Sequence, residues 1–160
     1  MVRWDVPRVA VDAIVLHRGK LVLVCRGNEP FRGRFALPGG FVEFGESLED
    51  AVRREVREET GLETRVDRLV GVYGDPGRDP RGHTISAAFA LRSVGGELRA
   101  ATDAAAVKIV HLGQAPPLAF DHDRILADFR RLRGRRPGAA TSPSRGRAGT
   151  RSRSAGRRRR

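Results

Sequence analysis

Glu46, Arg54, Glu55, Glu58 and Glu59 crowd into one short stretch of the chain. Clustered carboxylates repel one another and raise one another's pKa. Burying them is costly unless they are paired or bound to a cation. A hard divalent cation removes both problems. Mg²⁺ takes oxygen ligands and keeps waters and substrate phosphates in its shell. The chemistry within reach is therefore metal-assisted work on a phosphate. The plain alternative is a solvated acidic helix, the usual fate of a charge run.

The element that must carry these groups is a helix. Ser47, followed by Asp50, forms a start resembling a capping box, and Gly61 supplies the left-handed residue that ends helices. Good helix formers without proline lie between them. With Leu48 at zero on a helical wheel, Ala51, Val52 and Val56 fall near about 300°, 40° and 80°. Glu55, Glu59 and Glu58 fall near about 340°, 20° and 280°, on the same side. A solvated face would not coincide with Leu48 and Val52, which argues against the solvated helix, but on the wheel alone both readings stand. Upstream, Gly39 and Gly40 let the backbone approach a ligand or metal closely.

The spacing Gly40-x5-Glu46-x7-Arg54-Glu55-Val56-x-Glu58-Glu59-x-Gly61-Leu62 resembles the Nudix hydrolase signature at every specified position. The preceding Leu37-Pro38-Gly39-Gly40 is similar to the family's usual lead-in. The resemblance covers about residues 5–133 and implies an α/β fold, a Nudix-type α/β/α sandwich with a mixed sheet. It also implies hydrolysis of a nucleoside diphosphate linked to another group. By motif position Glu55, Glu58 and Glu59 match the metal ligands, joined by the carbonyl of Gly39. Glu46 assists, and Arg54 holds the carboxylates. The implied cofactor is Mg²⁺, with Mn²⁺ as an alternative. Glu58 or Asp103 would be the base, because several family members use an acidic residue in the loop where Asp103 lies. Glu97 is the rival.

A second resemblance is shorter. Tyr73, Asp75-Pro76, Arg78-Asp79-Pro80-Arg81 and His83 are similar to a segment of ADP-ribose pyrophosphatases within the family, as is Phe120-Asp121-His122. Arg78, Arg81 and His83 have the chemistry to meet phosphate or ribose, and Tyr73 to stack on a base. A rigid surface turn held by prolines is the alternative. Arg26, just past a strand end, can donate a bidentate pair to phosphate, or can be an ordinary exposed arginine. His122 lies within reach of the site, or on a helix surface.

Strands are predicted over 9–16, 21–25, 64–73, 84–91 and 107–112, with a turn at 95–97 and a helix over 121–133. Asp12 inside the first strand needs a partner and is expected to accept hydrogen bonds from a nearby loop or arginine. Cys25, the single cysteine, reads as a small core residue. No run reaches the length that spans a membrane, and no secretory leader is legible, so a cytoplasmic protein is expected.

The net charge of +12 is unevenly placed. Residues 134–160 hold ten arginines and no acidic residue. Setting those aside leaves 21 basic against 19 acidic residues, a net of +2 for 1–133. The expected organisation is a Nudix domain over 1–133 followed by a disordered Arg-rich tail over 134–160. Such a tail suits non-specific contact with nucleic-acid phosphates. A homodimer is in keeping with the family. The resemblance implies ADP-ribose as substrate, giving AMP and ribose 5-phosphate. Oxidised or ordinary nucleoside triphosphates and NADH are the enzymatic alternatives. A regulator that senses nucleotides or binds nucleic acid is the alternative of another class.

Overall fold

The computed structural model describes residues 6–99 and 106–134. Asp103 and the expected disorder of the tail lie outside the described residues. One mixed sheet is flanked by two helices. The strands are β1 (Arg8–His17), β2 (Lys20–Cys25), β3 (Phe35–Ala36), β4 (Gly39–Phe41), β5 (Leu62–Tyr73), β6 (Thr84–Gly96) and β7 (Ala106–Val110), and the helices are α1 (Leu48–Thr60) and α2 (His122–Gly134). The path through the sheet is β3-β2-β1-β6-β5, with β4 on β1 and β7 on β2. Among the described residues, only the β1–β6 pairing of these strands is parallel.

Strand β1 is apolar almost throughout because both of its faces are covered. Side chains alternate across a strand. Val11, Ala13 and Val15 therefore pack with Ala51, Val52 and Val56 of α1. Ile14 points the other way and packs with Ile125, Leu126 and Phe129 of α2. By the same alternation Asp12 and Ser86 fall on the α2 side, where they meet each other. The Nudix-type sandwich expected from the signature is thus present: helix, sheet, helix.

Two details depart from the expected elements. At the predicted turn over 95–97, β6 instead continues through Gly96, with Gly95 opposite Glu63 and Gly96 opposite Leu62. Gly96 has φ 78°, and a Cβ there would overlap the Gly61 carbonyl, so only glycine permits this close return of the chain. The loop after Gly33 also forms two short strands, β3 and β4, on either side of Leu37 and Pro38.

Candidate active site

Helix α1 begins where expected. Ser47 caps it by accepting from the Asp50 amide at 3.1 Å. Gly61 closes it in the left-handed conformation, φ 74°, with its amide donating to Arg57. The helix buries Ala51, Val52, Val56 and Thr60, whereas Leu48 stays 37% exposed.

The carboxylates gather around Arg54. Its Nη2 donates to Glu46 Oε1 at 2.7 Å and its Nε to Glu46 Oε2 at 3.1 Å, a two-pronged grip. Its Nη1 meets Glu55 at 2.8 Å and Glu58 at 3.3 Å. Nη2 also donates to the Phe41 carbonyl at 3.1 Å, tying helix to β4. Glu59 turns to the other side and accepts from the Gly39 amide at 3.0 Å. Glu55 lies so close over Gly40 that a Cβ at Gly40 would overlap its carboxylate. That is the close approach for which glycine is required.

Burial differs among the glutamates. The side chains of Glu46 and Glu55 are mostly covered, and Glu58 is 55% exposed. The wheel expectation of three inward glutamates therefore does not hold for Glu58. Its carboxylate follows Arg54, four residues earlier, along the helix surface. Burial pushes the Glu55 carboxyl above its usual range, offset in part by Arg54. Hydrogen bonds from Arg54, with one from the Glu43 amide, hold Glu46 below its usual range.

Three carboxylates thus share one guanidinium, with Glu59 beside them, and Glu55 is disfavoured as an anion by burial. Such an oxygen-rich, cation-poor donor set fits a hard divalent cation. Among the described residues, no three His, Cys, Asp or Glu side chains already stand in a metal-holding group. Glu46, Glu55 and Glu58 face Arg54 instead of a common point.

Gly39, Gly40 and Glu59 connect this cluster to a cleft of about 200 Å³. Arg26, Arg81, Phe41 and Phe120 form much of the remaining wall. Arg26 is fixed by donating to the Pro30 carbonyl at 2.7 Å and lies over the Phe120 ring at 4.7 Å. Arg81 grips Asp79 through Nε and Nη2 and stands within 5.2 Å of Phe41 and 5.5 Å of Phe120. Arg78 reaches the cleft, but its side chain is 5% exposed and held by Asp12 and Asp121. It braces the wall. Phe120 belongs to the second motif, which gave it no role, and Phe41 was not singled out, since neither motif marks an apolar wall.

Three expected residues stand elsewhere. Tyr73 is buried against α2, with its hydroxyl donating to Asp128 at 2.9 Å, so it presents no face for a base. This corrects the stacking expectation: the strand alternation sends Tyr73 into the layer beneath α2. His83 is exposed outside the cleft lining, its Nε2 3.1 Å from the Gly74 carbonyl. Glu97 is exposed beside Gly61 and is not part of the cleft wall.

A mostly buried polar circuit borders the cleft. Asp12 accepts from Ser86 at 2.6 Å and from Arg78 at 3.2 Å, and sits 3.2 Å from His122 Nε2. Burial would raise the Asp12 carboxyl, but His122, Ser86 and Arg78 outweigh it and hold it well below the usual range. The loop and arginine partners expected for Asp12 are thus found. His122 is buried, not on a helix surface.

The sequence model of the NUDIX domain matches residues 6–129. This chain belongs to the Nudix family. An ADP-ribose pyrophosphatase of Methanocaldococcus jannaschii is 54% identical over 125 residues, covering 78% of this chain and 74% of that protein. An NAD-capped RNA hydrolase, NudC, of Pectobacterium carotovorum is 32% identical over 127 residues, and this Nudix chain spans 47% of its length. Among solved structures, the NUDIX domain of Shewanella oneidensis NrtR, complexed with ADP ribose, superposes with a TM-score of 0.73 at 28% identity, covering 81% of this chain and 90% of that one. A bifunctional NMN adenylyltransferase/ADP ribose pyrophosphatase of Francisella tularensis, complexed with AMP and a Mn ion, gives 0.73 at 28% identity, covering 82% of this Nudix chain and 43% of that one.

Proposed function

We propose that this Nudix hydrolase cleaves the diphosphate of ADP-ribose to give AMP and ribose 5-phosphate, with Mg²⁺ or Mn²⁺ as cofactor. The observation that carries the substrate is the 54% identity to an ADP-ribose pyrophosphatase across most of both chains. When bound, the cation offsets charge on the diphosphate and acidifies an attacking water. Glu55, Glu58, Glu59 and the Gly39 carbonyl would hold it. Arg54 fixes Glu46, Glu55 and Glu58 in one arrangement before substrate arrives. Glu58, the most exposed of the three glutamates on Arg54 and held at the longest distance, 3.3 Å, would accept the proton of the attacking water. Asp103 is the other candidate base. Arg26 and Arg81 supply positive charge to the diphosphate, and Phe41 and Phe120 supply apolar faces.

The relation to NAD-capped RNA hydrolases supports a second reading, in which another nucleotide-linked diphosphate such as NADH is the better substrate. A purely sensory role is disfavoured, because Glu46, Arg54, Glu55, Glu58 and Glu59 are all retained. A cytoplasmic location and a homodimer complete the reading. Among the described residues no helix is long and apolar enough to cross a membrane.

The test is a panel of ADP-ribose, NADH and 8-oxo-dGTP with Mg²⁺ or Mn²⁺, with products identified. ADP-ribose should turn over fastest and yield AMP and ribose 5-phosphate. Faster turnover of 8-oxo-dGTP or NADH would replace the substrate assignment.

A further inference from the structure

We infer that His122 is a positioning residue. A single tautomer of its ring holds the backbone from Leu37 to Gly39 against the sheet and so sets the geometry at Glu59.

The need arises from the sequence. Between β3 and β4 the chain passes through Leu37 and Pro38, where strand pairing is interrupted. Proline has no amide to donate. Leu37 does, and it is only 2% exposed, so its N–H must find an acceptor inside the protein. That acceptor is His122 Nδ1 at 3.0 Å, from a residue 85 positions away. The next two residues are tied as well. The Pro38 carbonyl accepts from Ala13 at 2.8 Å, and the Gly39 amide donates to Glu59 Oε2 at 3.0 Å. A Cβ on Gly39 would overlap the Val11 carbonyl and stand 3.0 Å from Asp12 Oδ1, so the segment is pressed flat on β1.

An imidazole that accepts at Nδ1 carries its proton on Nε2. Nε2 faces Asp12 Oδ1 at 3.2 Å, an acceptor suited to that proton. Asp12 is itself fixed by Ser86 and Arg78. Arg78 is gripped by Asp121, at 2.7 and 3.0 Å, and Asp121 immediately precedes His122. The circuit Asp12, Arg78, Asp121, His122 closes on itself. The ring has one orientation and one tautomer in which both of its nitrogens are satisfied. His122 borders the cleft but makes no hydrogen bond to the carboxylate cluster; it acts through the backbone of Leu37 and Gly39.

The effect on turnover rests on the ADP-ribose reading above, and the test separates the two. Asparagine places an acceptor where Nδ1 stood, and glutamine places a donor where Nε2 stood. In the full-length chain, His122→Gln and His122→Ala should lower kcat by about 10- to 100-fold with KM within about threefold. His122→Asn should recover kcat to within about fivefold of wild type, because it restores the acceptor for Leu37. Long-range ¹H–¹⁵N spectra of the unsubstituted protein should show Nε2 protonated and Nδ1 bare. The Leu37 amide should be protected from exchange in wild type and His122→Asn, and exposed in His122→Gln. A proton on Nδ1, or equal loss of kcat in the Asn and Gln variants, overturns the inference. If His122→Ala does not fold, the Asn–Gln contrast carries the same decision. If the unsubstituted chain leaves ADP-ribose intact, the substrate reading falls, and the tautomer and Leu37 exchange decide this inference alone.

Discussion

Arg54 reaches back along the chain to Glu46 and grips both of its carboxylate oxygens, at 2.7 and 3.1 Å. The same guanidinium touches Glu55, Glu58 and the Phe41 carbonyl. A planar fork can serve that many acceptors at fixed angles, whereas an ammonium cannot. Arg54→Lys should therefore keep the charge and lose the arrangement. We expect turnover of ADP-ribose to fall by about 100-fold, with the far-ultraviolet circular dichroism unchanged. Activity within a few-fold of wild type would show that charge alone suffices.

Glu59 stands where the carboxylate cluster meets the cleft, close to the Gly39 amide. Glu59→Gln keeps an oxygen for that amide and removes the charge. Turnover should drop by roughly 100- to 1,000-fold while the melting temperature stays within a few degrees. Near-normal turnover at saturating Mg²⁺ would remove Glu59 from the proposed ligands.

Tyr73→Phe tests the corrected role of that residue. Loss of the hydroxyl donated to Asp128 should cost about 1 kcal/mol in urea unfolding. KM for ADP-ribose should not move. A raised KM with unchanged stability would return Tyr73 to the substrate.

Asp79 gives a pH signature. Burial alone would raise its carboxyl, but hydrogen bonds from the Arg81 side chain and amide outweigh burial and hold it below the usual range. A folded-state pKa below the unfolded one stabilises the protein fully above the unfolded value, about 3.9, and the contribution fades as pH falls through the folded value. Wild type should exceed Asp79→Asn by about 1–2 kcal/mol at pH 7 and pH 5. The gap should shrink below about pH 4. A gap that stays constant down to pH 3 would contradict this.

The ten arginines of residues 134–160 invite a binding test. Full-length protein should bind single-stranded RNA with an affinity that falls steeply with salt, and a chain ending at Gly134 should lose most of it. Equal, salt-insensitive binding by both would show that the tail takes no part.

Local signals were the most legible part of the sequence. Ser47 and Gly61 bound α1 as expected because caps act through hydrogen bonds within a few residues. Asp12 was readable as a residue in need of partners, since a charge in an apolar strand has few alternatives. Periodicity assigned Glu55 and Glu59 to a covered side but misplaced Glu58, whose neighbour Arg54 outweighs its wheel angle. Pairings across great chain distance were not legible. Tyr73 with Asp128 and Leu37 with His122 depend on α2 docking against the sheet, which no local pattern encodes.

The tie between Leu37 and His122 also bears on the order of events during synthesis. The segment beside Glu59 emerges early from the ribosome, but its anchoring acceptor is made 85 residues later. Until α2 has been translated and has settled on the sheet, Leu37 has no acceptor from it and the cleft has no fixed floor. A nascent chain can therefore contain the whole signature helix before the acceptor that fixes the neighbouring backbone has been made. That anchor comes only with α2.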